Sequence, residues 1–549
     1  MMTSGRWTSL SLVIAVLDLG LATGCHDKAP DAKVSATDGS TRNVPLPPGP
    51  PLPQHEWSAE KDATHVLNRL AYGPRPGDIE AVKKAGVSEW IQAQLKPESL
   101  TDEAVAKRLR ELPTLSMSTK DLLAGYPKPK QAPVPLTATG DRNAKAFPTG
   151  AGPTSREAAA DSVEVYRELV AQKLLRAVGS EKQLQERLVD FWFNHFNVYV
   201  HKGQDLWMTT PYERDAIRPF VFGKFRQLLG ATAHHPAMLY YLDNWLSKTG
   251  AINENYGREL LELHTLGVDG GYTQSDVTQA ARVLTGLGID NPGKSGLFEY
   301  RAADHDPGPE TLLGKTFQGA GQDQSDHFLD LLAAHPATAK FVCSGLAEAF
   351  LSDAPSAKFV ERLVKVYEQT GGDLHAVYEA LFYAPEFWAD DAYRAKTKTP
   401  LELAVSALRA VGAELDDAVP LAGKISGMGE PLYECVPPTG YKNRADAWIG
   451  TGALIARVNF GIALAGGRVK GVSFDREKLV AGAPPDDEGA LADRLAADVL
   501  HETLSKATRD VIVREVSANA KHVVYQEPPP TALPQTLGLL LGSPEFQKR

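Results

Sequence analysis

Cysteine is nearly missing from this chain. The three present among 549 residues, Cys25, Cys343 and Cys435, make no disulfide framework. They also lack the CxxCH spacing that attaches haem and the clustering that holds zinc. Phosphate-binding glycine loops and GxSxG elbows are missing too, which removes two common signatures of nucleotide binding and serine hydrolysis. No copper or iron–sulfur ligand pattern occurs, and this disfavours a redox carrier. Positive charge is in the minority, with 58 Lys and Arg against 68 Asp and Glu and a formal charge of −10. That balance argues against nucleic acid or an anionic membrane face as the main partner. Runs of alternating β-branched residues are scarce, and no repeat of solenoid length is found.

What is present begins at the first residues. Arg6, an apolar run from Leu10 to Ala22 and small residues before Cys25 read as a secretory signal, too short to span a membrane as a helix. Leu21-Ala22-Thr23-Gly24-Cys25 resembles a lipobox, so Cys25 is the expected lipidation site of an exported, membrane-anchored protein. His26 stands where an Asp would signal inner-membrane retention, which points to the outer membrane. Residues 26 to 56, including VPLPPGPPLPQ, cannot bury a core and read as a Pro-rich tether. The remaining residues, 57 to 549, are expected to form one large all-α body with long irregular loops. Within it, residues 113 to 155 lack periodicity and read as a disordered surface insertion.

The densest polar stretch is NENYGRELLELHTLGVDGGYTQSDVTQAARVLTGL, from Asn253 to Leu287. Asn255, Glu259 and Glu262 recur at i, i+4 and i+7, in one row of a helix, with Arg258 beside them. Tyr256, Leu260 and Leu263 form the expected core face, and His264 lies opposite the acidic row. Gly267 ends this helix, and Thr273 with Asp276 caps a second one, buried along Val277, Ala280, Ala281 and Leu284. Such a row is also what any solvated helix shows. The sharper expectation is a polar pocket in which Glu259 or Glu262 is a general acid or base and Arg258 clamps an anion, with Asp243, Asn244 and Asn255 binding substrate. Carboxylates with amide carbonyls suit a hard divalent cation such as calcium or magnesium, although the spacing matches no calcium loop.

Two further candidates lie outside this stretch. In VDFWFNHFNVYVHK, His195 shares the stripe of Leu184, Leu188 and Phe191, as a satisfied core histidine or as a base or metal ligand in a cleft lined by Trp192. His305-Asp306, in a Gly/Pro loop, reads either as a metal or acid–base pair or as a turn in which Asp caps the backbone.

Several phrases together resemble one bacterial family, that of domain of unknown function 1800. They are HVLNRLAYGPRPGDIEAV, DFWFNHFNV, PAMLYYLDN, NENYGRELLELHTLGVDGGYTQSDVTQAARVLTG, HDPGPETLLG, HPATAKFV, PPTGYKNRADAWIGTGALIARVNF and LGSPEFQ, in family order from about His65 onward. The resemblance implies a mostly helical, exported protein without an established reaction. It also implies a partner, because members are often encoded beside a second exported family similar to phosphatase- and sulfatase-like hydrolases. Two functions are therefore expected: a hydrolase acting on an envelope or extracellular polymer, using Glu259, Glu262, His195, His264 and Arg258, or a noncatalytic lipoprotein that scaffolds such a partner.

Overall fold

Capping and buried stripes set most of the helix boundaries. In the computed structural model, which describes residues 49–127, 161–308, 310–317, 321–481, 487–521 and 532–549, Ser58 caps the helix Ala59–Arg69 by accepting from Lys61 N at 3.2 Å. His235 and His335 do the same for Pro236–Tyr241 and Pro336–Phe350, each followed by Pro at the first helical position. Thr273 and Asp276 form the expected capping box on Gln274–Val283. The described residues contain twenty-two α-helices and only three short antiparallel strand pairs, so the all-α expectation holds. The strand pairs Leu287–Asp290 with Leu297–Tyr300 and Glu310–Leu312 with Lys315–Phe317 occupy the stretch where helical periodicity lapses. No helix among the described residues is long and apolar enough to cross a membrane.

One hydrophobic cluster runs from Ala63 to Phe546, so distant parts of the chain share a single core. The helix Pro400–Ala410 lies at its centre with every residue buried. Its two charged side chains therefore need internal partners. Arg409 donates to Gly73 O at 2.7 Å and Val178 O at 2.9 Å and pairs with Asp78 at 3.1 Å. Glu402 is met by residues far away in sequence, described below. Helices Thr451–Ala465 and Ala532–Leu541 cross so closely that a Cβ on Gly461 would lie 2.8 Å from Gly538 O. Next to them, Lys396 N donates to Arg549 O at 3.2 Å and Arg549 N returns the bond to Lys396 O at 2.8 Å, which carries the Arg549 side chain into the core.

Three expectations change. Residues 49–56 are not free tether: Ser88 Oγ donates to Pro50 O at 2.6 Å, and the His55 ring stacks on Trp388 at 5.1 Å while its Nε2 lies 2.7 Å from Asp62. Aromatic contact anchors this Pro-rich segment even though it has no buried stripe of its own. The insertion over 113–155 also divides. Residues 119–125 are helical, capped by Ser118, because Leu122 packs with Val165 and Trp207; residues 128–155 lie outside the described residues, as do the signal and Cys25. Finally, Leu260–Thr265 is a π-helical turn, in which Leu266 N reaches Leu261 O at 2.8 Å and Thr265 Oγ1 donates to Leu260 O at 2.6 Å. The wider turn rotates the face, so Leu261 is buried and Leu263 is half-buried, not the core residue that 3.6-residue phasing predicts.

Candidate functional site

The helix Gln183–His195 carries two stripes. Leu184, Leu188 and Trp192 enter the core, whereas Arg187, Asp190, Phe191 and Asn194, at i, i+3, i+4 and i+7, face a polar cleft. Lys173 reaches the cleft from the helix Ser162–Gly179, and Glu402 from the buried helix Pro400–Ala410. Glu430, Tyr433, Cys435, Tyr441 and Lys442 come from the loop that follows the helix Val419–Gly427, and Arg549 closes the back. The free space among them is about 50 Å³, room for a few waters.

Charge inside the cleft is heavily paired. Lys173 Nζ donates to Asp190 Oδ1 at 2.5 Å and lies 4.9 Å over the Tyr433 ring. Glu402 pairs through Oε1 with Arg187, and through Oε2 it accepts from Arg549 Nε at 2.8 Å and Thr399 N at 3.0 Å. Burial works against the Glu402 anion, yet Arg187 and Arg549 outweigh it and hold the carboxyl down at about 2. Glu430 has the opposite environment. Burial, reinforced by Asp190, pushes its carboxyl up to about 8, against a 2.8 Å hydrogen bond from Leu401 N. The cleft therefore keeps a proton-bearing carboxyl at neutral pH beside ionised pairs.

The loop that presents Glu430 is rigidly tied down. Asn194 Nδ2 donates to Tyr441 O and Asn194 Oδ1 accepts from Tyr441 N, both at 2.7 Å. Asn197 Nδ2 donates to Cys435 O at 2.9 Å and Pro437 O at 3.0 Å. Gly440 sits at φ +65°, and a Cβ there would lie 2.3 Å from Asn194 O. Tyr433 adopts φ +62°, a strained conformation for a side-chain-bearing residue, held by its hydroxyl donating to Glu213 Oε2 at 2.5 Å and by Val200 N on its carbonyl. Strain maintained by surrounding bonds is common where a protein fixes functional groups.

The residues singled out in the sequence fall into separate groups. Trp192, His195 and His264 belong to an aromatic cluster within the core. Trp192 Nε1 donates to Tyr378 at 2.6 Å, and His195 Nε2 lies 3.1 Å from His264 O. Burial lowers His195 to about 4 and His264 to about 3, so both are neutral imidazoles, and His264 Nε2 has no hydrogen-bond partner. Glu259 and Glu262 stand half-buried on the other side of the same helix, where burial and then Glu262 raise the Glu259 carboxyl. Arg258 turns away to Glu254 at 3.3 Å and Gln274 at 3.0 Å. Asn255 is exposed, with Nδ2 on Leu242 O at 3.2 Å, and Asp243 pairs with Lys202 at 2.8 Å. Asn244 is fully buried and donates to Leu284 O and Leu287 O, both at 3.0 Å. None of these residues lines the Glu430 cleft.

His305 and Asp306 are each engaged by protein. The His305 ring lies 2.9 Å from Thr285 O and 3.0 Å from Gln324 Oε1, and Asp306 takes Arg282 at 3.0 and 3.2 Å. Among the described residues no group of three or more His, Cys, Asp or Glu is arranged to hold a metal ion. Cys343 and Cys435 are both free and buried.

Of the cleft lining, only Phe191, in the His195 stripe, and Cys435, among the sparse cysteines, stand out in the sequence. The available signal was the second stripe of the DFWFNHFNV helix, together with charged residues inside an otherwise apolar helix, LELAVSALRA. The model of the family described as Protein of unknown function (DUF1800) matches residues 65–548, nearly the whole chain. Neither the curated proteins nor the solved structures contain a match to it.

Proposed function

We propose, for a chain that belongs to the DUF1800 family and takes from it a fold without an assigned reaction, that the Glu430 cleft is the active site of a hydrolase. Glu430 carries the reading: a buried carboxyl pushed up to about 8 holds its proton at neutral pH beside a space with room for a few waters. From there it donates to a leaving oxygen or nitrogen, and the Asp190 carboxylate, ion-paired to Lys173, accepts a proton from attacking water. Arg187 and Arg549 fix Glu402 and supply positive potential behind the reacting group. A space this small takes a side group or end of a large molecule, so the proposed substrate is a polar group projecting from an envelope or extracellular polymer. The full chain should hydrolyse at least one p-nitrophenyl ester, phosphate, sulfate or glycoside, and Glu430→Gln should slow it by about 10²- to 10⁴-fold. Turnover unchanged by Glu430→Gln contradicts the assignment.

The reading includes export and a lipid anchor at Cys25, supported by the signal-like first residues and the lipobox resemblance. Cys25→Ser should release the protein from membranes.

A second reading, a noncatalytic lipoprotein scaffolding an exported phosphatase- or sulfatase-like partner, draws support from apolar side chains beside the cleft. Val436, Ile449, Leu454 and Ile455 are 62, 47, 43 and 59 % exposed, and two of them directly follow the cleft residues Cys435 and Trp448. Under this reading the native chain hydrolyses none of the panel and co-elutes with that partner, and an Ile449→Asp, Ile455→Asp variant does not co-elute; turnover of the panel by the native chain contradicts it.

A further inference from the structure

The cleft holds more cation than its own acids neutralise. Four basic side chains line it, Lys173, Arg187, Lys442 and Arg549, against Asp190, Glu402 and Glu430. Asp190 is used by Lys173, and the single carboxylate of Glu402 is shared by two guanidinium groups. Glu430, carrying its proton below about 8, adds no negative charge there. Arg69 and Arg457, both wholly buried, lie near enough to feel Glu402 and deepen the positive potential. This surplus is local, since the chain as a whole carries −10.

Two donors on side chains that line the cleft have no protein acceptor. Arg549 Nη1 and Arg187 Nε are buried without a hydrogen-bond partner, in side chains only 4 and 6 % exposed. The Nε groups of Arg69 and Arg457 are in the same state, and each such N–H forfeits the bonds it made to water. Lys442, exposed at the mouth, gives an incoming anion its first attraction.

We infer that the cleft between Arg187, Arg549 and Lys442 binds a small oxyanion, a carboxylate, phosphate or sulfate group. Where this rests on the hydrolase reading, the oxyanion belongs to the substrate and places the bond to be cut beside Glu430. A planar guanidinium fork suits such groups, and the roughly 50 Å³ of free space takes one of them with little water left over. Glu430 is faced by Asp190, Lys173, Glu402, Arg457, Cys435 and Tyr441. Of these, Glu430 is the acid whose proton is lost just above neutrality, so its ionisation should oppose a bound anion.

Calorimetric titration of the full chain with sulfate, inorganic phosphate and acetate, at constant ionic strength, tests the inference. Sulfate is the diagnostic probe because it does not itself titrate near neutral pH. One saturable site is expected, weakened about tenfold or more by Arg549→Gln and several-fold by Lys442→Ala. Native binding should fall as pH rises through about 8, and Glu430→Gln should abolish that fall. No saturable binding of any of the three anions overturns the inference, as does binding that both Arg549→Gln and Lys442→Ala leave unchanged. Should Arg549→Gln not fold, the exposed Lys442 and the Glu430→Gln pH profile still decide. Sulfate binding without turnover keeps this inference and removes the catalytic reading; turnover that needs Glu430, without anion binding, does the reverse.

Discussion

The central helix from Asn255 to Thr265 and the cleft around Glu402 both concentrate ionisable groups, yet they handle them in opposite ways. On the helix the groups are sequence neighbours, and the fold separates them: the carboxylates of Glu259 and Glu262 stay half-exposed while His264 is buried neutral. In the cleft the groups are sequence strangers. Arg549 reaches Glu402 across 147 residues, and Tyr433 reaches Glu213 across 220. Local density of polar residues marks a helix with a wet face; burial of charge against distant partners marks a place where the fold bears a cost.

That contrast is sharpest in stability. Glu402→Ala leaves Arg187 and Arg549 buried without their acceptor and should cost about 3–5 kcal/mol in chemical denaturation. A loss under 1 kcal/mol would place the pair in a solvated setting and erase the distinction.

The two regions should also answer pH with opposite sign. Glu430 has a folded value near 8, above its ordinary 4.5, so its stabilising contribution is complete below about 4.5 and disappears as pH rises through 8. His264 has a folded value near 3, below 6.5, so its contribution is present above 6.5 and disappears as pH falls through 3. Glu430→Gln should flatten the fall in stability between about pH 4.5 and 8, and His264→Leu the loss as pH drops from about 6.5 to 3. Melting curves across pH check both, and an unchanged limb in either variant refutes that assignment.

The smallest effect is expected on the acidic row. Glu259→Gln should change stability by no more than about 0.5 kcal/mol, with the sign of slight relief from Glu262. A loss of several kcal/mol would show that the row is integrated into the fold as tightly as the cleft.

Much of the fold was legible because its signals are local. The Thr273–Asp276 box and the Gly267 stop both lie within a few residues of what they determine. The π-turn at Leu260–Thr265 was not legible, since one extra residue per turn shifts the buried face without changing composition. The candidate site was less accessible still. Glu430 sits in a loop and acquires its character only from burial beside Asp190, 240 positions earlier in the chain. Phe191 stands out only as part of the His195 stripe, whereas Asn194, three residues on, grips Tyr441 and borders the cleft.

The measurement closest to the central claim is the protonation of Glu430 itself. Infrared titration of the full chain, differenced against Glu430→Gln, isolates its carboxyl band. The band should persist at pH 7 and vanish around 8. A Glu430 carboxyl that ionises in the usual range near 4.5 would contradict the account, because the cleft would then hold no proton to give at neutral pH.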